Sequence, residues 1–147
     1  MPEGWEDFAL GPAGTTVAHP PDWRVVQVSD TVTDFRAPQG GMYLRVDWTD
    51  QPPPTPVAGW EVISDAFTQT KQNYREIRIE PVVYRGLDAA VWEYTYTEGG
   101  ADLHAVNIGI ATGPYGYALN FQTREGVWEE SQDIFRTLQA TFNPVVP

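Results

Sequence analysis

Leu87–Arg124, LDAAVWEYTYTEGGADLHAVNIGIATGPYGYALNFQTR, is the stretch whose reading decides the fold. Three runs rich in β-branched and aromatic residues, Leu87–Thr97, Leu103–Thr112 and Tyr115–Arg124, are separated by Gly99-Gly100 and Gly113-Pro114. Such pairs make two-residue turns, so the segment reads as a three-strand antiparallel meander. With a turn at Gly99-Gly100, Tyr96 faces Leu103, Tyr94 faces Ala105 and Trp92 faces Asn107. With Gly113-Pro114 closing the next turn, Asn107 faces Asn120 and Ala105 faces Gln122. Side chains alternate across a sheet, so this register sorts the meander into two faces. One holds Val91, Val106, Ile108, Ile110, Tyr117, Leu119 and Phe121, and is core. The other holds Trp92, Tyr94, Tyr96, Asn107, Asn120, Gln122 and Arg124, with Gly109 and Ala118 leaving space between them. A four-residue second turn would shift the pairing but keep the same residues on each face, whereas an odd-length turn would move one strand's side chains to the opposite face.

Upstream, short extended pieces are punctuated by Gly and Pro: Glu6–Leu10, Thr15–Ala18, Arg24–Val28, Val32–Arg36 and Met42–Trp48. The last alternates Met42, Leu44, Val46 and Trp48 against Tyr43, Arg45 and Asp47, as an antiparallel strand does. Residues 51–56, QPPPTP, stop the sheet, because proline cannot donate to a ladder. A domain linker is the alternative reading; we read them as a stiff loop within one domain. Val57–Asn73 follows with Trp60, Ile63 and Phe67 at near-helical spacing. Arg75–Pro81 is predicted as a further strand, with Ile77 and Ile79 alternating against charge. Val127–Ala140 is predicted as a second helix, with Trp128, Phe135 and Leu138 along one side and Glu129 and Glu130 in its first turn.

The chain has 147 residues, 20 acidic against 9 basic, a net charge of -11 and 13% aromatics. One compact domain fits this length. The charge opposes sequence-independent nucleic-acid binding and a polybasic membrane-surface role. No apolar run approaches the ~20 residues of a spanning helix, so direct membrane insertion by this segment is not expected. With no cysteine, disulfides, thiolate metal sites and cysteine nucleophiles are all excluded.

Chemistry-bearing residues are sparse. His19 and His104 have no metal-binding spacing; His19, beside Pro20-Pro21, reads as a loop residue, and His104 as a satisfied sheet histidine. No nucleophile elbow, P-loop or dinucleotide fingerprint occurs. Glu93 is the one carboxylate that the register places on the core face, either with a raised pKa, or paired with an arginine such as Arg78, or at the sheet margin. Arg75, Arg78 and Arg85, interleaved with Glu76 and Glu80, read as a cross-strand ion-pair lattice. Catalytic residues, metal ligands and cofactors are therefore expected to be absent.

Several phrases in order carry a resemblance. They are Pro20-Pro21-Asp22-Trp23, which lacks the usual Gly before Trp, then Phe35-Arg36-Ala37-Pro38-Gln39-Gly40 and Tyr43-Leu44-Arg45-Val46. A proline-rich turn into a helix carrying Trp60 follows, then Tyr74–Gly86 and Ala89-Ala90-Val91-Trp92-Glu93-Tyr94. Gly116-Tyr117-Ala118-Leu119, Trp128, Phe135 and Thr141-Phe142 close the series. Across nearly the whole chain this resembles the extracytoplasmic C-terminal domain of actinobacterial serine/threonine protein kinases of the PsbP-like type, related to LpqN-type lipoproteins. The resemblance implies an α+β fold, an antiparallel sheet with helices packed on its faces, in a single domain. It implies a sensory or binding appendage on the outer face of a membrane, tethered through a part not present here, with any kinase activity elsewhere.

The expected role is thus a non-catalytic sensor or ligand-binding domain. A free-standing secreted or lipoprotein binding or assembly factor is the alternative, and a small hydrolase or isomerase using Glu93 or His104 a third. The ligand-binding residues expected are Trp92, Tyr94, Asn107, Asn120, Gln122 and Arg124. Rings supply area and amide and guanidinium groups supply orientation, for a polar small molecule, a peptide or a cell-envelope component. The competing reading of the same face is that a helix or loop simply packs on it, with the amides satisfied internally.

Overall fold

The computed structural model describes residues 2–146. Seven antiparallel strands form one sheet in the order β3-β4-β5-β9-β8-β7-β6. They are β3 (Arg24–Gln27), β4 (Val32–Arg36), β5 (Tyr43–Thr49), β6 (Gln72–Tyr84), β7 (Leu87–Glu98), β8 (Ala101–Ala111) and β9 (Gly116–Arg124). A separate hairpin joins β1 (Glu6–Leu10) to β2 (Thr15–His19). Both tight turns of the meander form, and Trp92 faces Asn107, which faces Asn120. Both faces are therefore sorted as the sequence predicts.

The two faces bury different elements. Against Val106, Ile108, Leu119 and Phe121 pack the hairpin and α2 (Gln132–Thr141), with Phe121 stacked on Phe135 at 5.0 Å. On the opposite face, α1 (Pro56–Thr70) lies over β6, β7 and β8 and inserts Trp60 and Phe67 among Trp92, Tyr94 and Tyr96. Thr55 caps α1 by accepting the Ala58 amide at 3.1 Å, and Pro56 takes the first helical position, where no N–H is needed. No helix among the described residues is long and apolar enough to cross a membrane.

Four expectations need correction. The first helix ends at Thr70, not Asn73: Lys71 is extended, and Gln72 and Asn73 already belong to β6. There Asn73 sits at φ 54 beside an irregular register, a conformation Asn tolerates better than most residues. The strict alternation expected of Arg75–Pro81 fails, because a bulge between Glu76 and Arg78 leaves Ile77 unpaired and exposed. The second helix starts only at Gln132. Two 3-10 turns occupy Glu125–Val127 and Glu129–Ser131, where the burial of Trp128 against His104 sets the backbone, so Glu129 and Glu130 are outside the α-helix. His19 is no loop residue: it ends β2, is buried, packs on Phe35 and bonds the Pro20 carbonyl through Nδ1 at 2.8 Å.

Candidate functional site

Because α1 packs on β6, β7 and β8, the same face of β9, β5 and β4 is left without a helix. A cleft of about 240 Å³ follows the step between the two halves. Ile63, Phe67 and Lys71 of α1 form one wall, and Tyr43, Arg45 and Asp47 of β5 the other. Its floor is Tyr94, Tyr96, Asn107, Ala118, Asn120 and Gln122. An apolar cleft of about 170 Å³, lined by Pro52, Pro53, Pro56 and Ile110, adjoins it and shares Asp47, Trp60, Ile63 and Ala118.

Small residues create the recess. Trp60 lies flat over Gly109 and donates its Nε1–H to the Ala90 carbonyl at 3.0 Å. Beside it, amides span β8 and β9. Asn120 Nδ2 donates to Asn107 Oδ1 at 2.7 Å, and Asn107 Nδ2 reaches the Tyr94 hydroxyl at 3.3 Å. Tyr96 donates to Gln122 Oε1 at 2.5 Å. Asn120 Oδ1 is shielded from solvent and has no hydrogen-bond partner among the described residues.

Charge is arranged around the rim. Lys71 Nζ stands 5.1 Å from the Phe67 ring centre and 5.2 Å from that of Tyr96. Arg45 lies over Tyr43 and bonds Asp34, whose carboxylate also takes Arg36. Burial pushes the Tyr43 phenol up to about 12, and burial also raises Tyr94 and Tyr96. All three are therefore neutral hydroxyls at physiological pH. Burial raises Asp47 as well, and Arg45 offsets this only in part.

Five of the six residues expected to bind a ligand, Trp92, Tyr94, Asn107, Asn120 and Gln122, line this cleft. Trp92 belongs more to the packing than to the opening: it is 2% exposed, touches Trp60 and Phe67, and donates to the Tyr74 hydroxyl. Arg124 shares the face but is exposed further along β9, its side chain running beside Gly41. Sequence reasoning missed Tyr43, Arg45 and Lys71 as lining residues. Their alternation against Leu44 and Val46 marked the first two as facing away from the core, but only the β5–β9 pairing brings them beside Asn120 and Gln122.

The opposite face holds the two residues considered for catalysis. His104 Nε2 lies 2.6 Å from Glu93, its Nδ1 lies 2.9 Å from Glu125, and its ring stacks on Trp128 at 3.7 Å. Both ring nitrogens thus face carboxylates, and neither bonds a hydroxyl that could serve as a nucleophile. Burial alone would raise Glu93, but hydrogen bonds from His104 and Arg78 outweigh it and hold the carboxyl below its ordinary 4.5. The expected pairing with Arg78 is present at 2.9 Å, placed by the bulge in β6, whereas Arg75 and Arg85 make no ion pair among the described residues. No cluster of three or more His, Asp or Glu suited to a metal occurs among the described residues.

Residues 8–144 match the family described as the serine/threonine kinase C-terminal domain. The chain belongs to that family. No curated protein matches it. Among solved structures, cyanobacterial PsbP from Synechocystis superposes with a TM-score of 0.77 at 16% identity, covering 97% of this chain and 93% of that one. LpqN of Mycobacterium tuberculosis, involved in cell envelope biogenesis, gives 0.60 at 12% identity, covering 95% and 92%. A Pseudomonas aeruginosa protein of unknown function gives 0.64 at 12%, covering 96% and 97%. At such identities the likeness shows the fold, and the fold is PsbP-like α+β.

Proposed function

We propose that this domain is a non-catalytic ligand-sensing module, displayed on the outer face of the membrane by a receptor-type serine/threonine kinase of actinobacterial type. The catalytic part would lie elsewhere in that protein. The observation that carries the ligand-binding part is the cleft itself, walled by the rings and cations of α1 and β5 and floored by the polar groups of Tyr94, Asn107, Asn120 and Gln122. Rings supply contact area, and the amide and cationic groups supply orientation, for a polar ligand. Family membership supports the kinase association, and the carboxylates facing both nitrogens of His104 speak against the hydrolase alternative.

A thermal-shift screen of cell-wall fragments and small polar metabolites tests this reading. A ligand should raise the melting temperature of the wild type, since whatever binds only the folded state stabilises it. It should leave Asn120→Leu unshifted. No stabilising compound, or an equal shift in both proteins, would defeat the reading. For location, protease treatment of intact cells making the whole receptor should cleave the domain; protection until lysis would place it inside.

A second reading, a free-standing secreted or lipoprotein binding factor, is favoured by one observation. The solved PsbP and LpqN chains are matched over 93% and 92% of their lengths, so in those structures the fold stands with little else attached. The reading frame upstream of Met1 separates the two. A kinase domain with one spanning helix supports the first, and a signal peptide with a lipid-modified cysteine the second.

A further inference from the structure

The strand register gathers arginines that are scattered in the sequence. Arg24 of β3 pairs directly with Arg36 of β4, Arg36 with Tyr43 of β5, and Tyr43 with Gln122 of β9. Arg45 lies two residues along from Tyr43, and Arg124 two along from Gln122. All four arginines thus lie on the face that carries the cleft, on the half that α1 leaves uncovered. Half of the chain's eight arginines stand there, against Asp34 and Asp47 alone on the same strands, in a protein of net charge -11.

Local stability does not account for this. Like charges directly opposite in a sheet are destabilising, yet Arg24 and Arg36 are partners. Asp34 neutralises only part of the group, because its two oxygens are shared by Arg36 and Arg45. Arg24 and Arg124 make no ion pair among the described residues. The Tyr43 hydroxyl and Gln122 Nε2 likewise have no hydrogen-bond partner there, since Gln122 accepts from Tyr96 through its oxygen. The surface is rich in free donors and poor in acceptors.

We propose that this row is an oxyanion-binding surface, and that the molecule it takes carries two or more carboxylate or phosphate groups. Guanidinium forks match both oxyanions, and the row is too wide for a single one. From β3 to β9 it spans three strand spacings, about 14 Å. The surface adjoins the cleft proposed above and deepens that reading by naming the ligand's charge, but it rests on different side chains.

Calorimetric titration of the domain at low salt with tripolyphosphate and with citrate tests the inference and separates its two sources of charge. At least one should bind, with an affinity that falls as salt is added. Arg24→Gln with Arg124→Gln removes two exposed, unpaired side chains and should leave the melting temperature unchanged. It should weaken binding about tenfold or more, the loss of one or two charge-assisted contacts. Arg75→Gln with Arg136→Gln, two exposed arginines elsewhere, should leave binding unchanged. Binding of tripolyphosphate alone assigns a phosphate ligand, and of citrate alone a carboxylate. Failure of both to bind the wild type, or equal losses in the two double variants, would overturn the proposal. Because Asn120 is untouched in these proteins, that failure would leave the thermal-shift test of the cleft standing.

Discussion

At Gly109 any Cβ would stand 3.0 Å from Trp60 Nε1 and 3.1 Å from two of its ring carbons, and the ring is held by its bond to Ala90. Gly109→Ala should therefore tilt Trp60 off the sheet at a cost of about 1–3 kcal/mol, the usual range for overpacking. Chemical denaturation and the near-ultraviolet Trp signal would register both effects; an unchanged midpoint would show that the glycine sets nothing. Phe121, fully buried between Phe135 and Trp128, is the opposite case, and Phe121→Ala should cost about 3–5 kcal/mol by leaving a cavity. Asp34 supplies the pH dependence. Burial alone would raise its carboxyl, but Arg45 and Arg36 together hold it below its ordinary 3.8, and Glu93 is likewise lowered. A carboxyl lowered by folding adds stability that is complete above its unfolded value and disappears as pH falls through the folded one. Stability should thus decline in acid below the ordinary carboxylate range, and Asp34→Asn should flatten part of that decline. At neutral pH the same substitution should cost about 1.5–3 kcal/mol, as for hydrogen bonds to charged groups. An acid limb identical in both proteins would remove Asp34 from the account.

Elements were legible in the sequence where their signals are local. Gly99-Gly100 and Gly113-Pro114 specify two-residue turns, the glycines by taking positive φ and Pro114 by its fixed φ, so the register of β7, β8 and β9 followed, and with it the face shared by Asn107, Asn120 and Gln122. Thr55-Pro56 announces the start of α1 in the same way. Thr55→Ala should lower stability by about 1 kcal/mol in denaturant, because the Ala58 amide loses its acceptor; no change would mean that solvent caps the helix as well. Element ends set by distant partners were not legible. Val127–Ala140 has helical periodicity throughout, but stacking of Trp128 on His104, from another part of the chain, holds its first turns in 3-10 geometry. The bulge that sets Arg78 opposite Glu93 is equally silent in a run of alternating charge.

Across the whole molecule, what stayed hidden was the product of one long-range pairing. β5 lies before the proline-rich segment and β9 near the end of the chain, yet they are neighbours, and only this contact sets Arg45 beside Asn120 and Tyr43 beside Gln122. No local pattern could show that arginines at positions 24, 36, 45 and 124 share a surface. The same pairing decides how the domain should unfold. Residues 51–56 look like a linker, but the strands on either side of them are hydrogen-bonded into one sheet, and a single core beneath it holds Phe35 and Leu44 from one side with Leu119, Phe121 and Leu138 from the other. Neither half can open without exposing the other's apolar face. Unfolding should therefore be a single cooperative transition, with far-ultraviolet and near-ultraviolet signals coincident in denaturant, as small domains commonly show. Cleavage between Gln51 and Thr55 should not release a folded fragment. Two separated transitions, or a stable folded piece ending near Asp50, would show that the β5–β9 seam is a docking contact between independent units instead of the middle of one core.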